Sequence, residues 1–222
     1  MSSAARKFRL TGRERWRTKK WYNVLSPTNF GSVIVASTPV DEAWKLLGRN
    51  VEATLYDLTG DITQVHAHLY FQIWKVDGEN AYTIFKGHEL ARDYVRSLTR
   101  RKSSRITAIF SVTTKDGYLL RLTVMAWTTY KCNTSQQHAI RRILMDVTSN
   151  IASTSTFDEF VVGMVFGDYV QQLFNEAKRI YPLRKVEFVK SKLIAVPTPE
   201  GPKKAVIIPK AGVLEAPYAT SL

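Results

Sequence analysis

The sequence predicts an α+β protein: a β-rich body with a central hairpin, then helices and a final strand. Three observations carry this. Residues 105–130, RITAIFSVTTKDGYLLRLTVMAWTTY, read as two long alternating strands around an Asp-Gly turn. Residues 134–180 switch to apolar residues at helical spacing. Both ends shift in composition, to a basic stretch before the body and a Pro-rich one after it. Closure of the body into a barrel-like form is one expected outcome.

The central hairpin also predicts its own turn. Ile106, Ala108, Phe110 and Val112 share one face, as do Leu120, Leu122, Val124 and Ala126. A two-residue loop at Asp116-Gly117 would put these sets on opposite faces. A three-residue loop, Lys115-Asp116-Gly117 with Gly117 left-handed, sets Val112 opposite Leu120 and Phe110 opposite Leu122. A one-residue slip flips every side chain, so the buried face selects the three-residue loop.

The remaining elements follow in order. Residues 1–21 are read as a basic arm. Residues 1–24 hold eight Lys/Arg against one Glu, interleaved with Phe8, Trp16, Trp21 and Tyr22. Residues 32–37 are expected as a strand ended by Pro39, with a short helix from there to Leu47. Residues 51–58 are expected as a strand. Residues 69–76 and 81–86 form a second hairpin about Asp77-Gly78. A helix is expected from about His88 to Arg100, with Leu90, Ala91, Tyr94, Val95 and Leu98 inward.

After the body, which spans 22–131, a helical segment with a final strand occupies 132–196 and packs on it. Asn133 or Thr134 caps the first helix, which runs to about Ile151. Thr156-x-x-Glu159 is a capping box for the second. Gly167-Asp168 breaks and recaps into a third, stopped by Pro182. Residues 186–196 form the last strand. From 197 to 222, which holds five of the eight prolines, an extended tail is expected. Its Val206-Ile207-Ile208 cluster is suited to docking on a partner.

Charge points to partners. The net charge is +13 and the pI near 9.9, which favours nucleic acid first and an anionic surface second. No run of about 18 apolar residues is available to span a membrane. One cysteine, Cys132, excludes an internal disulfide and a Cys-rich zinc site and suits a reducing, cytosolic setting. His66 and His68 alternate on a strand without further metal ligands at workable spacing. No phosphate-binding glycine loop or nucleophile elbow is present, so no cofactor and no enzymatic activity are expected.

Phosphate neutralisation then selects the candidate contacts. In the arm they are Arg6, Lys7, Arg9, Arg13, Arg15, Arg17, Lys19 and Lys20, with Trp21 available to stack. On the predicted helix, Arg92, Arg96 and Arg100 recur at i, i+4, i+8. Arg101, Lys102 and Arg105 continue the run, and Arg141 with Arg142 lies on a later helix.

Several stretches coincide with one family. Lys20-Trp21-Tyr22 precedes Pro27 and Phe30, and Gly48-Arg49 precedes Glu52 and Leu55-Tyr56-Asp57-Leu58. Then come Phe85-Lys86-Gly87-His88-Glu89-Leu90 with Arg92-Asp93, and Thr113-Thr114-Lys115-Asp116-Gly117-Tyr118-Leu119-Leu120-Arg121-Leu122. Ile180-Tyr181-Pro182-Leu183 closes the series. Over residues 19–195 this resembles the small-subunit ribosomal protein family S-three-Ae, also called e-S-one, in its compact archaeal form. The resemblance implies a non-enzymatic structural protein on the platform of the small subunit, near the messenger exit. Its partners would be small-subunit ribosomal RNA, neighbouring ribosomal proteins and messenger RNA near the exit, and its setting cytoplasmic. A free-standing RNA-binding or assembly factor would share the same charge.

Overall fold

A computed structural model of the chain describes residues 16–197 and 202–205. Its strands, among these residues, are β1 (Lys20–Leu25), β2 (Ile34–Val40), β3 (Asn50–Thr54), β4 (Ala67–Asp77), β5 (Asn80–Leu90), β6 (Arg105–Thr113), β7 (Leu119–Thr128), β8 (Leu183–Val196) and β9 (Lys203–Lys204). The helices are α1 (Leu55–Thr59), α2 (Arg92–Leu98), α3 (Thr134–Thr154), α4 (Phe157–Phe166) and α5 (Asp168–Lys178). All the strands join one mixed sheet.

The sheet is open, not closed into a barrel. β6, β7, β8 and β5 lie side by side, and β5 continues to β4 and β3 on its other edge. The early part of β5 pairs in parallel with β1, which carries β2 at the rim. β8 enters between β7 and β5, so the final strand completes the sheet's interior. One edge of β5 is shared, its first residues taking β1 and its last β8, and among the described residues β6 pairs with no strand but β7.

The central hairpin has the expected register. Phe110 stands opposite Leu122 and Val112 opposite Leu120. Gly117 N–H donates to Thr114 O at 2.9 Å, and Gly117 has φ +81°. This is the three-residue loop with a left-handed glycine. The two apolar sets are buried and packed with Ile140 and Leu144 of α3, Phe160 and Val161 of α4, and Leu173 and Ala177 of α5. A smaller cluster of Tyr22, Val24, Val40, Leu46, Leu47, Ile73, Val76 and Ala81 lies where β1 meets β4 and β5.

Helix boundaries in the second half follow the caps. Asn133 with Gln136, and Thr156 with Glu159, form capping boxes at α3 and α4. Gly167 at φ +90° ends α4 and precedes α5 directly.

Four expectations are corrected. Pro39 does not end a strand: it sits inside β2 opposite Trp21, tolerated because β2 is a rim strand with no ladder partner on its outer side. The helix expected up to Leu47 is only a 3-10 turn, Ala43–Leu46. The strand expected over 51–58 stops at Thr54, whose side chain and Asp57 form a capping box that starts α1. The helix expected from His88 starts instead at Arg92, because β5 runs on to Leu90. Gly87 permits that extension. A Cβ there would lie 2.3 Å from Ser191 O, so only glycine lets β8 approach β5.

Candidate nucleic-acid interface

The sheet face opposite the Leu120–Ala126 stripe lies largely outside the main core, although Trp127 and Met125 of that face pack into it. Cross-strand pairing defines its rungs. One rung runs Ser111, Arg121, Lys192, Gly87, Tyr70, Glu52 across six strands. The next runs Ile109, Thr123, Lys190, Glu89, His68, Thr54. Further along, Arg105, Trp127 and Lys185 share a rung.

The basic helix and loop are anchored at that last rung. Trp127 is buried, and its Nε1–H donates to Thr99 Oγ1 at 3.1 Å. Tyr94 of α2 stacks on His66 with ring centroids 3.8 Å apart. Lys185 Nζ donates to the Tyr94 hydroxyl at 2.5 Å and lies 2.9 Å from Glu187. Burial works against the Lys185 charge, but the hydrogen bonds to Tyr94 and Glu187 outweigh it, so its pKa is raised. The lysine is therefore a cationic bracket for α2.

Arg92, Arg96, Arg100, Arg101, Lys102 and Arg105 are all exposed. They do not form one helical stripe. α2 ends at Leu98, Thr99 is extended, and Arg100 belongs to the loop. Arg92 and Arg96 share the helix, and the other cations follow a turn in which Lys102 has φ +60°. Arg96 reaches Asp93 only at 4.0 Å with both side chains mostly solvated, a pair worth little.

This loop is stitched to the neighbouring one. Ser104 N–H donates to Thr128 Oγ1 at 2.8 Å, and Thr128 N–H donates to Ser104 O at 3.0 Å. Cys132 N–H donates to Ser104 Oγ at 3.2 Å. Exposed Tyr130 and Lys131 are thereby held beside the basic turn. The arrangement offers several cations and one aromatic ring at one end of a rigid sheet, suited to phosphate contacts without base-edge reading.

The other predicted positions are dispersed. Arg142 is exposed on α3. Arg141 is half-buried, and its Nε donates to Thr107 O at 3.0 Å, covering the open edge of β6. Its spacing away from the Ile140–Leu144 stripe concealed that role. Arg17 is exposed, Lys19 lies 4.4 Å from the Trp16 ring centroid, and Lys20 and Trp21 open β1 with Trp21 60% exposed. Arg6, Lys7, Arg9, Arg13 and Arg15 lie outside the described residues, as does the Val206-Ile207-Ile208 cluster.

Arg121, Lys190, Lys192 and Lys86 are not among the contacts expected from the sequence, because they are spread over three strands. The signal available was Lys190-Ser191-Lys192: alternation puts both lysines on one face and buries Ser191 on the other. Lys190 pairs with Glu89 at 2.7 Å. Lys86 donates to Gln72 Oε1 at 3.0 Å, and burial, then the charge of Lys192, lowers its pKa.

A cavity between α2, α4 and the sheet collects His66, His88, Lys185 and Glu187. His88 bonds to Phe188 O and Lys185 to Tyr94 and Glu187 along its wall, whereas Gln64 Oε1 is buried there without a hydrogen-bond partner among the described residues. His68 pairs with Glu52 at 3.1 Å. Among the described residues, no helix is long and apolar enough to cross a membrane.

Comparison with known proteins adds a family. The profile of the Ribosomal S3Ae family matches residues 9–197. The small ribosomal subunit protein eS1 of Ignicoccus hospitalis is 56% identical over 200 residues, 89% of this chain and 94% of that protein. Its namesake in Desulfurococcus amylolyticus is 54% identical over 202 residues, 91% of this chain and 95% of that protein. The one in Aeropyrum pernix is 52% identical over 200 residues, 88% and 94% respectively.

Proposed function

Because the chain belongs to the Ribosomal S3Ae family, we propose that it is a structural constituent of the small ribosomal subunit, and not an enzyme, that binds small-subunit ribosomal RNA. Near-full-length identity of 52–56% to proteins named for that subunit carries the reading. The platform near the messenger exit is its place in this account, with neighbouring ribosomal proteins and exiting messenger RNA beside it in the cytoplasm.

The binding mode is phosphate neutralisation and shape. Arg92, Arg96, Arg100, Arg101, Lys102 and Arg105 supply one group of contacts, and the N-terminal arm supplies another. Arg142 joins them from α3. Stitching of the loops through Ser104 and Thr128 supports this, since the cations need no ordering on arrival.

Two linked measurements test the reading. The chain should sediment with small subunits and stay there through high-salt washes; release would mark a free-standing factor instead. In binding to small-subunit RNA, the slope of log K against log salt should fall by roughly 0.9 for each phosphate contact removed. Replacing Arg100, Arg101 and Lys102 with Gln should therefore flatten it, as should removal of residues 1–20. An unchanged slope in both variants contradicts the assignment.

A further inference from the structure

We propose that Arg121 and Lys192, with Lys86 beside them, form a second RNA-phosphate site on the open face of the sheet, separate from the basic loop. The proposal rests on the ribosomal reading above and names a further place where that RNA is held.

The observation is a charge left unbalanced by the fold. Arg121 of β7 and Lys192 of β8 stand directly opposite each other. Like charges at directly opposed positions destabilise a sheet. Both residues are exposed, and among the described residues no carboxylate or hydrogen-bond acceptor engages either head group. One rung away the same strand solves this problem differently. Lys190 stands opposite Glu89, and the two pair at 2.7 Å. At the Lys192 rung the opposing position on β5 is Gly87.

That position has no room for an acid. A Cβ on Gly87 would come within 2.3 Å of Ser191 O and 3.3 Å of Lys192 Cα. The close approach of β5 and β8 thus excludes the carboxylate that would neutralise Lys192. Lys86, the preceding residue, adds a third positive charge whose pKa is lowered by burial and then by Lys192. Cations held side by side on rigid strands, with their counter-charge excluded, are arranged for an anion from outside. Phosphates of an RNA backbone fit three adjacent cations along an extended face. The flanking rung positions Ser111 and Thr123 are polar or small, which leaves the approach open.

The rung also lies on the same sheet face as Arg105 and Lys185, six residues away along β7. At about 3.3 Å per residue this is roughly 20 Å, so one RNA element can contact both sites without the protein bending.

The test uses the full-length chain, wild type and R121Q/K192Q, with R121K/K192R as a charge-keeping variant. Relief of the like-charge contact should raise the melting temperature of R121Q/K192Q in low salt by about 1–4 °C. The same variant should bind small-subunit RNA several-fold more weakly, with a salt slope lower by about two units of roughly 0.9. R121K/K192R should keep the wild-type slope. A variant that binds RNA with the wild-type slope overturns the site, and so does loss of binding in R121K/K192R. Normal RNA binding with failure to enter the subunit would assign the face to an acidic protein neighbour, and overturns the proposal as well. If wild-type protein does not bind the RNA, the ribosomal reading fails first, whatever the variants do.

Discussion

The carboxylate of Asp116, at the tip of the central hairpin, accepts the backbone N–H of Phe157 at 2.8 Å. The turn that sets the register of β6 and β7 thus also caps α4, 41 residues later. Tyr118 stacks on Phe157 at 4.4 Å beside this contact. An acid at a helix N-terminus gains from both the free N–H groups and the helix dipole.

Asp116→Ala is therefore expected to cost about 1–2 kcal/mol. Asp116→Asn, which keeps an acceptor oxygen, should recover part of it. Urea midpoints of the two variants check this. Equal stability of Asp116→Ala and wild type would mean that the cap is not formed in solution.

His88 gives the fold a pH dependence. It is buried, its Nε2 lies 2.9 Å from Phe188 O and its Nδ1 lies 2.6 Å from Ser191 Oγ. The carbonyl can only accept, so Nε2 carries the proton and Nδ1 accepts from the serine hydroxyl. Burial holds the pKa down at about 4. The unfolded chain binds the proton below its ordinary value of about 6.5, and the folded chain only below about 4. Stability from this group should hold above pH 6.5 and fall as the pH drops toward 4, by on the order of 3 kcal/mol. Denaturant titrations at pH 7 and pH 5 on wild type and His88→Gln measure it. An equal loss in both proteins would place the pH dependence elsewhere.

Gly87→Ala tests the junction that joins the two halves of the sheet. The new methyl would meet Ser191 O at 2.3 Å, and backbone cannot move aside as a flexible side chain can. A loss of about 3 kcal/mol is expected, read as a shift in urea midpoint. A neutral substitution would show that β5 and β8 are not this close.

Much of this architecture was legible because it is local. The hairpin register follows from matching two apolar faces, α3 from an Asn133 or Thr134 cap and α4 from a capping box, each with a 3.6-residue stripe. What failed was non-local. The strand character of His88-Glu89-Leu90 depends on Gly87 meeting Ser191, 104 positions away, while Leu90, Ala91, Tyr94 and Leu98 locally match a helix. Arg121 and Lys192 look like ordinary solvated strand residues until β8 is known to enter beside β7. Arg141 reads as a free cation, since nothing local reveals that β6 is an edge with a carbonyl to cover.

Thr128→Val separates charge from positioning. It leaves every cation in place and removes the hydroxyl that accepts from Ser104 N–H and donates to Tyr130 O. Thr128 is fully buried, so the cost should be about 1–3 kcal/mol. Amide hydrogen exchange at residues 100–104 should accelerate, and RNA affinity should fall with the salt slope unchanged. Unaltered exchange would remove the clamp from the account.

The most direct test is a density map of the assembled small subunit that contains this chain. Phosphate oxygens are expected within about 3 Å of the Arg100, Arg101, Lys102 and Arg105 head groups, at charge-assisted hydrogen-bonding range. A map in which these side chains face bulk solvent, with acidic or apolar surfaces making the contacts instead, would contradict it.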